Sequence, residues 1–185
     1  MKIIDYYMTP GSPWTYLGHA RLAEMAKRHG AKVNVKPVDF GVIFPQSGGL
    51  PLPKRAPQRQ AYRLMELKRW KEHLGVPIVI QPKFFPVDGA PAATLIAAAP
   101  EEKRMVMAGD FLSALWKDDR NIADPAVLEE IGKRHGVTQG AKATYEAFTQ
   151  EALRRNVFGA PSYVYRDEIF WGQDRLDFLD RALQK

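Results

Sequence analysis

The chain has no cysteine. It cannot cycle a disulfide of its own, and the absence argues against a secreted domain stapled by disulfides; any sulfur chemistry here uses sulfur carried by a ligand. Long apolar runs are also missing. No stretch approaches the ~20 residues of a membrane-spanning helix. The N-terminus lacks the basic start, apolar run and small-residue cleavage site of a secretory signal, so the cytoplasm is the expected compartment. Histidine is sparse: His19, His29, His73 and His135 follow no metal-ligand or triad spacing. They fall near predicted helix ends and on amphipathic faces, which assigns them to the surface. Nor is there a strong charge bias. The 27 basic and 21 acidic residues leave a net charge of +6, spread over several predicted helices. A solvated surface fits that pattern better than a nucleic-acid interface, while the positive field favours a small anionic ligand.

What is present suffices for one core. With 185 residues, 45% of them hydrophobic, the chain supports one domain, or one domain with a large insertion. Residues 1–8 read as a strand, broken by Pro10-Gly11; Ser12 then stands at an N-cap with Pro13 opening a helix over 13–29. Residues 32–38 alternate with period two and end near Phe40, completing a βαβ unit expected to be parallel and right-handed. The Gly- and Pro-rich segment 41–56 is expected to form an irregular loop. A helix over 57–74, stopped by Gly75, precedes an extended stretch at 78–85. Further helices are expected at 89–99, 101–117, 124–135 and 140–156, with Asp124-Pro125 a start and Gly136 a stop. The chain closes with a strand at 161–166, a turn at Asp167-Glu168, a strand at 169–171, and a helix at 173–184 whose Leu176, Leu179 and Leu183 share one face.

Four segments carry a resemblance: Ser12-Pro13-Trp14, the run from Pro82 through Lys83, Phe84, Phe85 and Pro86 to Asp88, Phe158-Gly159-Ala160-Pro161-Ser162, and Trp171-Gly172-Gln173-Asp174-Arg175-Leu176. In this order and at similar spacing they occur in one family. Over essentially its whole length the sequence resembles the 2-hydroxychromene-2-carboxylate isomerases of the kappa-class glutathione transferase and DsbA-like group. The resemblance implies an α/β, thioredoxin-like fold with βαβ and ββα halves at 1–40 and 137–185, interrupted by a large helical insertion at 41–136. The order of predicted elements agrees with that division. Glutathione is the implied cofactor and a small aromatic, unsaturated carboxylate the implied partner; no nucleic-acid or membrane partner is expected, and a homodimer is left open.

The residues of the implied site each have two readings. Ser12 is an ordinary N-cap worth about 1 kcal/mol. Alternatively, its hydroxyl and the helix N-terminus favour the ionised form of a bound thiol, whose ordinary pKa is about 8.5. Thioredoxin-like redox proteins carry Cys-x-x-Cys at this point, so the resemblance makes Ser12 the activator of glutathione and not a nucleophile. Pro161 simply starts a strand, or it follows a cis Ala160-Pro161 bond that leaves the Ala160 N–H and C=O to pair with the cysteinyl backbone of glutathione. Gln173 and Asp174 open the last helix, where an acidic residue suits the dipole. By resemblance, Asp174 pairs with the α-amino group of glutathione while the N–H groups of Gln173 and Asp174 bind its α-carboxylate.

The helix from Pro57 departs from the family, which commonly has an Asn in the preceding loop and a Lys shortly before the helix Tyr. No Asn stands at 47–56, and Arg59 holds the Lys position before Tyr62. A guanidinium there can take the glycyl carboxylate of glutathione, with Lys54 and Arg55 as alternatives. Asp88, where the family usually has Asn, reads as a helix cap. Trp14, Tyr16, Phe40, Phe44 and Trp70 are mostly core, with some lining the site if an aromatic acid binds. The implied reaction interconverts a 2-hydroxychromene-2-carboxylate and an o-hydroxybenzylidenepyruvate: thiolate addition to the conjugated alkene, rotation, and elimination that returns glutathione. Trp14, Lys54 and Lys83 are the candidates for touching substrate, and Arg59, Lys54 or Lys83 for holding its carboxylate. A kappa-class-type transferase that consumes glutathione and a non-catalytic thiol-peptide binder are the rival readings.

Overall fold

In the computed structural model, which describes residues 1–185, alternation along the first strand sets both faces of the sheet. Strand β1 (Ile3–Met8) sends Ile4, Tyr6 and Met8 to one side and Asp5 and Tyr7 to the other. It pairs in parallel with β2 (Lys32–Pro37) across helix α1 (Pro13–His29). On its other edge it pairs antiparallel with β3 (Ser162–Tyr165), which pairs antiparallel with β4 (Glu168–Trp171), giving the order β2-β1-β3-β4. Register then does something the element order alone does not show. Tyr7 lies opposite Ser162, and Ser162 opposite Trp171. The loops that follow β1, precede β3 and follow β4 therefore meet at one end of the sheet.

Ile4, Tyr6, Tyr163 and Phe170 pack on Leu17 and Leu22 of α1, on Phe111 and Leu115 of α5 (Glu101–Trp116), and on Leu179 and Leu183 of α8 (Leu176–Gln184). The same cluster takes in Leu67 of α3 (Pro57–Leu74), Ile96 of α4 (Ala90–Ala98) and Ile131 of α6 (Pro125–His135). Sheet and inserted helices thus share one core across positions 41 and 137, each fully buried leucine contributing about 1.5–3 kcal/mol. The opposite face of the sheet is covered by α7 (Lys142–Arg154), where Tyr7 and Val164 meet Ala152 and Val157. No helix is long and apolar enough to cross a membrane.

Several elements differ from the sequence expectation. Residues 40–47 are helical, not a loop: α2 (Phe40–Ser47) starts where the Asp39 carboxylate accepts the Gly41 N–H at 2.7 Å and stops at left-handed Gly48. Ile43, buried beside Tyr7 and Val38, outweighs the hydrogen bond that Pro45 forgoes. Only one 3-10 turn, Leu52–Lys54, interrupts the rest of that segment. Residues 78–85 join no strand; the Val79 N–H donates instead to the Trp116 carbonyl at 2.6 Å. The hairpin turn falls at Arg166 and Asp167, with φ of 50° and 64°, one residue earlier than expected; positive φ at both central residues matches hairpin twist. The last helix opens with a 3-10 turn, Gln173–Arg175. Asp88 does hold a helix start, accepting the Ala90 N–H at 2.9 Å, although Gly89 occupies the cap position.

Two of the four histidines are not on the surface. His19 and His135 are both 8% exposed. His19 is matched on both nitrogens, by the Tyr6 hydroxyl at 3.3 Å and the Met105 carbonyl at 2.9 Å, and His135 faces Asp110 at 2.8 Å. Hydrogen-bond partners of this kind remove the penalty that sends an unpaired imidazole outward. Burial holds the His19 pKa below its ordinary 6.5, with a smaller opposing effect from the Met105 carbonyl.

Candidate active site

Three backbone features converge at the sheet end. The first is the start of α1, where Ser12 (φ −95°) accepts the Thr15 N–H through Oγ at 3.2 Å. That bond uses a lone pair and leaves the hydroxyl proton to donate elsewhere. The Trp14 N–H, one of the orphan donors of the first turn, has no backbone partner.

The second is the segment before β3. Ala160-Pro161 is a cis peptide, and neither the N–H nor the C=O of Ala160 has a backbone partner. The Pro161 carbonyl accepts the Gly172 N–H at 2.8 Å, and the Ser162 hydroxyl donates to the Gly159 carbonyl at 2.7 Å. These bonds fix the exposed edge of Ala160 between them. Gly159 sits under the Trp171 indole so closely that a Cβ would lie 2.3 Å from Nε1. A side chain there would displace the half-exposed indole.

The third is the turn after β4. Gly172 has φ of 102°, a conformation that disfavours any side chain, and a Cβ on it would push aside the Asp174 carboxylate, whose Oδ1 lies 2.5 Å from that position. Gln173 is 2% exposed. Arg21 donates from Nη1 to its Oε1 at 2.7 Å and to its carbonyl at 3.2 Å, so the Gln173 side chain faces α1 and anchors the turn. Its own N–H and that of Asp174 have no backbone partner. The exposed Asp174 carboxylate pairs with its neighbour Arg175.

Helix α3 closes the other side. Arg59, Tyr62, Arg63, Glu66 and Trp70 follow one another at helical spacing, so one stripe of α3 faces a cleft of about 390 Å³. Trp14, Ala160 and residues 171–175 line the opposite wall, and Arg55 enters from the preceding turn. Burial, then the repulsion of Arg55, lowers the Arg63 pKa to about 10. Burial and then Arg59 lower that of Arg55. Burial, then the nearby Asp174 carboxylate, raises that of Glu66. The cleft is a cationic slot with aromatic walls.

Of the residues singled out in the sequence, Trp14, Arg59, Ala160, Gln173 and Asp174 line this one cleft. Ser12 caps the helix two residues before Trp14, and Pro161 is buried directly behind Ala160. Lys54 and Lys83 do not line it: both are exposed, and the Lys83 ammonium lies 5.4 Å over the ring of Phe84. Arg63, Glu66 and Trp171 were not singled out as site residues. The i, i+3, i+4, i+7 spacing from Arg59 was the signal that contained the first two. A second cleft of about 390 Å³, lined by Asp39, Asp88, Thr94, Tyr145 and Glu146 among others, gathers none of the singled-out site residues.

The sequence profile of the DSBA-like thioredoxin domain matches residues 3–184, and the chain belongs to that family. Among curated proteins it is similar to a 2-hydroxychromene-2-carboxylate isomerase of Sphingobium xenophagum, 27% identical over 98% of this chain and 98% of the relative. A protein of the same name from Pseudomonas putida is 25% identical over 98% of this chain and 94% of its own. Among solved structures, a 2-hydroxychromene-2-carboxylate isomerase superposes with a TM-score of 0.86 at 22% identity, covering 98% of this chain and 94% of that one. The cytosolic disulfide reductase DsbM of Pseudomonas aeruginosa, solved with GSH, superposes with a TM-score of 0.65 at 20% identity over 99% of this chain and 100% of its own.

Proposed function

We propose that this protein is a glutathione-dependent isomerase that interconverts 2-hydroxychromene-2-carboxylate and o-hydroxybenzylidenepyruvate, or closely related unsaturated aromatic acids. The observation that carries the reading is the coincidence of unmatched backbone groups with a free hydroxyl proton at one end of the sheet. The Ala160 edge, the Gln173 and Asp174 N–H groups and Ser12 present the donors and acceptors that an extended γ-glutamyl tripeptide with a thiol requires. Relatives of nearly equal length bearing the isomerase name support the substrate class.

In this reading the Ala160 N–H and C=O pair with the cysteinyl residue, Asp174 takes the α-amino group, the Gln173 and Asp174 N–H groups take the α-carboxylate, and Arg59 takes the glycyl carboxylate. Glutathione, when bound, would supply the nucleophilic sulfur that a chain without cysteine lacks, the chemistry needed for reversible addition to a conjugated alkene. The Ser12 hydroxyl, whose lone pair caps α1, would have its proton available to a thiolate held beside the helix start, where the partial positive charge favours negative charge. Trp14, Trp70 and Trp171 offer flat surfaces that exclude water from an aromatic substrate. The test is a spectrophotometric assay of the o-hydroxybenzylidenepyruvate interconversion with and without glutathione, together with a calorimetric titration of glutathione. Turnover that needs catalytic glutathione and does not consume it supports the isomerase. Stoichiometric consumption identifies a transferase, and no binding at millimolar glutathione refutes the site.

A further inference from the structure

Arg63 is a charge without a partner. It is 8% exposed, and its Nη2 is buried with no hydrogen-bond acceptor. The only charged group that perturbs it is Arg55, which repels it. Its guanidinium stands 4.9 Å from the centre of the Phe85 ring and 6.0 Å from that of Trp116, contacts that orient its plane while engaging none of its N–H donors within the ring planes. A buried cation left in this state is costly, and an apolar side chain of similar length is often the more stable occupant. Apart from the two ring contacts, the folded chain makes no use of the positive charge at this position.

Arg63 borders two clefts: one of about 340 Å³ on the Phe85 side, which holds no other charged group and no tryptophan, and the cationic slot with aromatic walls described above, which offers what a flat acid needs. Arg63 follows Arg59 by one turn on the stripe that faces the slot; Arg59 is exposed and Arg63 buried, so the stripe carries one cation outside and one inside. Glu66, the nearest acid on that stripe, forms no ion pair with it. Lys54 and Lys83 stand outside the cleft lining. We infer that Arg63 binds the carboxylate of the substrate, a flat unsaturated acid whose ring lies among Trp14, Trp70 and Trp171, and that the outer Arg59 is left for the cofactor. The identity of the acid rests on the isomerase reading; the preference for a planar aromatic carboxylate rests on the cleft itself. The planar fork of a guanidinium matches a carboxylate with two parallel hydrogen bonds, which a lysine ammonium does not reproduce.

The experiment compares 2-hydroxycinnamate with its uncharged amide, binding being read by quenching of tryptophan fluorescence in the wild type, Arg63→Met and Arg63→Lys. Glutathione titrations and thermal melts accompany each protein. The wild type should prefer the carboxylate to the amide. Arg63→Met should melt no lower than the wild type, bind the carboxylate about 10- to 100-fold more weakly as expected for one charge-assisted contact, and bind the amide and glutathione unchanged. Arg63→Lys should recover part of the carboxylate affinity. The inference is overturned if the wild type binds acid and amide equally, if Arg63→Met weakens both alike or neither, or if glutathione affinity falls in step. A lower melting temperature with carboxylate binding intact overturns it too, since Arg63 would then serve only packing against Phe85 and Trp116. Because the readout is equilibrium binding, an absence of isomerase turnover sinks the functional reading above without touching this result.

Discussion

Ser12 is where cap and chemistry can be pulled apart. The geometry gives its hydroxyl two ends: a lone pair that accepts the Thr15 N–H at 3.2 Å, and a proton that no protein group receives. Ser12→Ala removes both. Loss of the cap costs about 1 kcal/mol, which in a chain of this size lowers the melting temperature by about 2–4 °C. Loss of the donor removes a charge-assisted hydrogen bond to a thiolate, about 1.5–3 kcal/mol, and so should raise the pKa of bound glutathione by about one to two units and slow turnover at neutral pH by about 10- to 100-fold. Ser12→Asp separates the two effects. A carboxylate caps as well as a hydroxyl, so this variant should melt like the wild type while its negative charge opposes the thiolate and abolishes turnover. Ser12→Thr should restore both properties. The assays are thermal melting and a pH titration of the ultraviolet absorbance of bound thiolate. An unchanged thiol pKa in Ser12→Ala, or an active Ser12→Asp, would refute the reasoning and leave Ser12 a cap.

Asp174→Asn keeps the shape of the side chain but not its charge, and glutathione affinity should fall by about 1.5–3 kcal/mol; an analogue lacking only the α-amino group should bind wild type and variant alike, and an equal loss for both ligands would make Asp174 a helix-start residue only. Gly172→Ala forces a side chain into φ of 102° and against Asp174 Oδ1, so urea denaturation should show a loss of about 1–3 kcal/mol and calorimetry a loss of glutathione binding beyond that of Asp174→Asn. For His19, burial lowers the pKa of the folded state below 6.5. The unfolded chain then holds the extra proton between the folded pKa and 6.5, so this residue stabilises fully above 6.5 and its contribution is lost as pH falls through that window. His19→Gln should flatten the acid limb of a stability profile taken from about pH 8 to pH 5, and an unchanged slope would show that His19 does not titrate on unfolding.

Helix boundaries set by local chemistry were legible in the chain: Pro13 to His29, Pro57 to Leu74 and the Asp124 start all coincide with caps and stops whose signals lie within a few residues. Where an element depends on distant packing, local signals failed. The head of the Gly- and Pro-rich segment 41–56 became part of α2 because Ile43 found a buried place beside Tyr7. Residues 78–85 stayed out of the sheet, the Val79 N–H being taken by the Trp116 carbonyl far along the chain. His19 and His135 went inside because partners far along the chain, Met105 and Asp110, satisfy their nitrogens.

The sequence by itself determined the four strands, most of the helices, the Ser12 cap and the turn glycine at 172, since each follows from the chain's own dihedral and hydrogen-bonding demands; Gly159 answers instead to the Trp171 indole packed against it. Only the tertiary structure decided which of the basic residues face the cleft. Lys54, Arg55, Arg59, Arg63 and Lys83 all carry a positive charge, and no local signal says which of them reaches the cleft. Helical spacing turns Arg59 and Arg63 to the slot, the register of Tyr7, Ser162 and Trp171 brings the opposite wall to them, and packing against Phe85 and Trp116 buries Arg63 without giving it a partner. Desolvation of a charge depends on everything that surrounds it in space, and no window of sequence contains that surrounding.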